Sequence, residues 1–210
     1  MSSADVAEKL CGLYLLDELI EVPYEENEIK ITRFSQHLRM VYTSSEFNLY
    51  VYQCATNVFG HLVRVGGVLV SDLIIGEARK SLEQLRSDKP EKVVPSLLIL
   101  KTLAENAPTI FSPYLDSCID SLWPALHSSN EHVRDSALDT LHQCILLVNT
   151  RLPAQREQLY TRINTEILGL FKLNSSDAIQ GGLRAISLLL MYGGDFLLPY
   201  FNKVLELVTQ

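Results

Sequence analysis

Five histidines (His37, His61, His127, His132, His142) and four cysteines (Cys11, Cys54, Cys118, Cys144) carry most of this chain's capacity for proton transfer, nucleophilic attack and metal ligation. Their spacing argues against all three. His132 with Asp135 at i+3, or His142 beside Cys144, can be drawn as catalytic pairs. Adjacent positions on a helix do not face each other, however, and no third orienting group accompanies either pair. None of the cysteines forms a C-x-x-C pair. All four lie inside apolar helical patterns and read as small core residues of an intracellular protein, not as disulfides or a metal site. The phosphate templates G-x-G-x-x-G and G-x-x-x-x-G-K-[ST] are absent, as is H-E-x-x-H. The sequence therefore nominates no catalytic, cofactor-binding or metal-binding residue, and no cofactor is expected.

The charged residues say more about surfaces than about reactions. Glu21, Glu25, Glu26 and Glu28 form an acidic cluster that reads as a solvated turn. Arg79, Lys80, Arg86, Lys89 and Lys92 make a modest basic run, the more plausible partner-facing patch. Arg33 and Arg39 flank the inward Phe34 and Leu38, where they bond either the ends of neighbouring helices or an inward carboxylate such as Asp17. Trp123, the single tryptophan, lies on an apolar stripe and reads as packing. The formal net charge of -7 opposes sequence-independent binding to nucleic acid, which needs a basic footprint. Protein partners are expected instead.

With 47% hydrophobic and 20% charged residues, the 210-residue chain can bury a sizeable core. The N-terminus lacks a basic region followed by an apolar one, so no signal peptide is expected. No apolar run approaches the length of a transmembrane helix, so no span is expected. The compartment read from these features is cytosolic or nuclear.

Helical periodicity organises the chain around residues 95–148. Leu115, Cys118, Ile119, Leu122, Trp123 and Leu126 fall on one helical stripe, and Ala137, Leu141, Cys144, Ile145 and Val148 fall on the next. Toward the N-terminus, helices are predicted over about 3–21 (Val6, Leu10, Leu13, Tyr14 and Asp17 inward), 28–41 (Ile31, Phe34, Leu38, Val41) and 46–65 (Val51, Ala55, Phe59, Leu62, Val63). Gly66-Gly67 stops the third, and Val68-Leu69-Val70 reads as a loop packed on the helices. A fourth helix opens at Ser71 with Ile74, Ala78, Leu82 and Leu85 inward, and a fifth at Pro90 with Val93, Leu97, Leu100 and Ala104 inward.

Toward the C-terminus the pattern continues over about 153–171, with Leu159, Ile163, Ile167 and Leu170 inward. The next helix carries Ile179, Leu183, Ile186 and Leu190, and the last buries Leu197, Tyr200, Phe201, Val204, Leu205 and Val208. Gly181-Gly182 inside a helix is costly unless a neighbour packs closely there.

Taken in pairs, these helices start near residues 4, 46, 91, 131 and 177, a period of roughly 40 to 46 that falls in the HEAT/armadillo range. Ser44-Ser45-Glu46, Ser128-Ser129-Asn130-Glu131 and Ser175-Ser176-Asp177 each precede a long first helix. With those caps aligned, Ala55, Ala137 and Ala185 occupy nearly equivalent inner positions. Val133-Arg134 followed by Ala137 resembles the Val-Arg-x-x-Ala core of HEAT first helices. The expected fold is all-α, an α-solenoid of about five HEAT-like helix pairs. It forms a single solenoid over 1–210, with units near 4–42, 45–87, 90–127, 130–172 and 176–210.

Five segments, in order, carry a closer likeness. Arg33-Phe34-Ser35-Gln36-His37-Leu38-Arg39 resembles the R-F-x-x-x-L-R of the N-terminal HEAT region of target-of-rapamycin (TOR) serine/threonine kinases. Gly66-Gly67-Val68-Leu69-Val70-Ser71-Asp72 is similar to that region's G-G-x-L-x-S-D. The apolar helix from Leu97 to Pro108, ending A-x-x-x-P, the helix from Val133 to Val148 and the segment from Asp177 to Leu190 continue in register. The resemblance covers essentially the whole chain.

It implies a scaffold that contacts the accessory subunits of TOR complexes, notably the Raptor-type substrate-recruiting subunit. The implied setting is cytoplasmic, with association to endomembranes through complex partners. The family's catalytic domain and rapamycin-binding region lie far downstream, and no position here matches a family catalytic residue. The chain departs from the pattern by starting inside the first usual repeat and ending after a few, which reads as a fragment without activity of its own. The competing readings are another HEAT scaffold, such as a transport receptor or phosphatase scaffold, and a HEAT-like nucleic-acid enzyme such as certain DNA glycosylases.

Overall fold

The computed structural model describes residues 3–23, 26–43, 47–173 and 175–194, without the side chains of Ser3 and Ala4. All regular structure among them is helical. The helices are α1 (Ser3–Ile20), α2 (Asn27–Tyr42), α3 (Leu49–Gly66), α4 (Ser71–Gln84), α5 (Pro90–Asn106), the single turn α6 (Pro108–Phe111), α7 (Leu115–Leu126), α8 (Glu131–Arg151), α9 (Arg156–Phe171) and α10 (Ser176–Gly193). The all-α, pairwise-packed architecture expected from the periodicity is present, without strands among the described residues. The segment expected to form a last helix, Leu197 to Val208, lies outside them.

Local chemistry sets the helix ends. Asn48 caps α3, its side-chain oxygen accepting the Val51 N–H at 3.0 Å, and Asn130 does the same for Val133 at the start of α8. The expected cap Ser44-Ser45-Glu46 lies outside the described residues, and Ser175, which precedes α10, makes no side-chain cap bond. Pro90 opens α5 and Pro108 opens α6, where a missing N–H costs nothing. Gly67, at φ +54, ends α3 in a conformation that favours glycine. The expected loop at Val68-Leu69-Val70 is instead a 3-10 turn, Gly67–Val70. That tight turn drives the fully buried Val70 side chain against Gly66, where a Cβ would overlap it.

By backbone contact the chain divides into two compact units, Met1–Cys118 and Ile119–Gln210. In the first, α3 is the hub: α1, α2 and α5 all pack on it, and α4 packs on α5 and α6. In the second, α10 packs on α8 and α9. Ala55, Ala137 and Ala185 are all fully buried, as their aligned positions require. Each fully buried Leu or Ile, such as Leu97, Leu100, Ile119 and Ile163, contributes about 1.5–3 kcal/mol of transfer free energy.

Two stripes differ from expectation. On α10, Ile179, Leu183 and Leu190 are exposed, whereas Ala178, Gly181, Gly182, Ala185 and Leu189 are buried. Close backbone approach selects the small residues, because a Cβ on Gly181 would overlap the Leu126 carbonyl oxygen. On α1, Leu13 and Ile20 are the buried anchors, whereas Tyr14 stands 55% exposed. Its hydroxyl meets that of Tyr50 on α3 at 3.2 Å, on the exposed side of the α1–α3 contact.

Contrary to the expectation that no segment is apolar enough to cross a membrane, one helical run reaches that apolarity by length and composition. Leu49–Gln84 contains an 18-residue window of mean hydropathy 1.7. Val51, Tyr52, Ala55, Phe59 and Leu62 in that run are buried in a hub on which α1, α2 and α5 pack, as in a core helix.

Candidate functional site

The histidines separate into different local roles. His61, on α3, reaches α1 with both ring nitrogens: Nδ1 lies 2.8 Å from Asp17 Oδ1 and Nε2 lies 3.3 Å from Glu21 Oε1. Asp17 is thus held by a histidine, and not by Arg33 or Arg39. His142 Nε2 meets the Tyr192 hydroxyl at 2.6 Å while the two rings lie 5.3 Å apart. His127 Nδ1 caps the Trp123 carbonyl at 2.9 Å. Asp135, the residue drawn as a partner for His132, pairs with Arg184. His37 is exposed beside a cavity between α1 and α2. The His61 and His142 contacts fasten one helix to another.

The cysteines are free thiols; Cys118 and Cys144 are core residues as expected, but Cys11 is exposed. No group of three or more His, Cys, Asp or Glu among the described residues is placed to hold a metal ion.

The arginines do the cross-linking. Arg134, 8% exposed, donates from Nη1 to the Ser128 carbonyl at 2.6 Å and pairs with Asp177 at 3.0 Å. Its Nη2 donates to Gln180 Oε1 at 3.1 Å, so one guanidinium joins the α7–α8 turn to the first turns of α10. This is the arginine of the Val-Arg-x-x-Ala pattern. Arg162 pairs with Asp120, and Arg64 bonds Asn106 Oδ1 at 2.6 Å.

In the first unit Arg39 pairs with Glu77, which is only 3% exposed. The sequence nominated Arg39 correctly but gave no sign of Glu77, because a glutamate shortly before Arg79 and Lys80 on a helix reads as surface. Arg33, by contrast, is exposed and makes no ion pair among the described residues. The basic-run residues Arg79, Arg86, Lys89 and Lys92 are also exposed.

Among the described residues, three buried polar atoms have no hydrogen-bond partner: the Tyr42 hydroxyl, Trp123 Nε1 and Asn164 Oδ1. Burial pushes the Tyr42 hydroxyl well above its usual range, and the nearby Glu77 charge adds to the effect. Tyr50 is raised to about 12, first by its hydrogen bond with Tyr14. A hydroxyl whose proton is shared in this way is no general base at neutral pH.

Two concave surfaces lie at α1 and α2. A cavity of about 520 Å³ is lined by Lys9, Gly12, Leu13, Leu16, His37, Met40 and Val41. A second, of about 240 Å³, is lined by Leu19, Val22, Ile29, Lys30, Arg33 and Phe34. Both have mainly apolar walls.

The chain is all-helical among the described residues, with helices packed in pairs and arginine bonds between them, an architecture consistent with a helical-repeat segment. No family model matches it. Along its whole length it is 32% identical over 212 residues to "Serine/threonine-protein kinase TOR" of Arabidopsis thaliana and 33% identical over 212 residues to that of Oryza sativa subsp. japonica. It is 26% identical over 209 residues, 99% of the chain, to "Serine/threonine-protein kinase tor1" of Schizosaccharomyces pombe. The chain is homologous to TOR serine/threonine kinases from end to end. It spans 8–9% of the length of these curated relatives.

Proposed function

We propose that the chain is a protein-interaction scaffold from the N-terminal HEAT region of a TOR-type serine/threonine kinase, with no activity of its own. In this reading the helix pairs are successive HEAT-type repeats that support assembly with Raptor-type accessory subunits in the cytoplasm. The observation that carries it is end-to-end alignment with TOR kinases of plants and yeast, covering a small fraction of each. The paired helices and the arginine that links successive elements add support, since solenoids present surfaces more than reaction centres.

The test is co-purification of a Raptor-type subunit with the full-length kinase and with a form lacking residues 1–210. Loss of the subunit from the truncated form, with the kinase still soluble, is expected. Equal recovery from both contradicts the reading. The nucleic-acid-enzyme alternative is disfavoured by the net charge of -7.

A further inference from the structure

We draw no further inference here: the strongest candidate, the apolar groove between α1 and α2, is an unpartnered face with charges of both signs along its walls, and nothing in the structure shows what covers it.

Discussion

Helices α1 and α10 are both 18 residues long, both apolar, and both interrupted by glycine, yet their glycines serve opposite ends. On α10, Gly181 lies against the Leu126 carbonyl, and Gly182 sits where a Cβ would stand 2.9 Å from the Phe171 ring. Those glycines mark contacts already made. On α1, Gly12 faces open space in the floor of a groove. The intrinsic cost of either glycine relative to alanine is the same, about 1 kcal/mol. Only packing tells a finished interface from an open one, and that difference separates the tied-down second unit from the uncovered helix pair of the first.

The largest expected effect tests how firmly the second unit is tied. Arg134→Ala strands the Ser128 carbonyl and Asp177, and should lower stability by about 2–3 kcal/mol in urea unfolding followed by circular dichroism. Arg184→Ala removes a pair whose side chains are 47% and 46% exposed, and should cost under about 1 kcal/mol. Equal costs for the two would break the distinction between a buried clasp and a surface pair.

The glycines supply the next effect. Gly181→Ala forces α10 away from α7 and should destabilise by about 1–2 kcal/mol net of its helix-propensity gain. Gly12→Ala meets nothing and should stabilise by up to about 1 kcal/mol in the same assay. Effects of the same sign would contradict the comparison.

The smallest effect concerns Tyr42. Its raised hydroxyl pKa means that the folded state holds the neutral phenol, a contribution fully present below pH 10.0 and lost as pH rises through the folded value. Tyr42→Phe removes an unpartnered buried hydroxyl. It should leave neutral-pH stability equal or up to about 1 kcal/mol higher, and should flatten the fall in melting temperature above pH 10. An alkaline profile identical to that of the unaltered chain would place the sensitivity elsewhere.

Much of the architecture was legible because large apolar residues recur at helical spacing. The α3, α5, α7, α8 and α9 stripes are buried where the period puts them. On α10 the period held for Ile186 and failed for Ile179, Leu183 and Leu190, which outweigh Gly181 and Ala185 in hydrophobicity but not in the fit to a nearby backbone. It also misplaced Tyr14, whose hydroxyl bonds that of Tyr50 at the surface. The arginines were only half legible: Arg134 and Arg39 stood out beside apolar stripes, but Asp177, Glu77 and Gln180 are far away in sequence. The groove was invisible for the same reason, because it is formed by what α1 and α2 leave uncovered.

Hydrogen–deuterium exchange on the full-length TOR-type kinase, with and without its Raptor-type subunit, tests the scaffold account most directly. The expected result is slowed exchange within residues 1–210 when the subunit is bound. No change anywhere in residues 1–210 would contradict it.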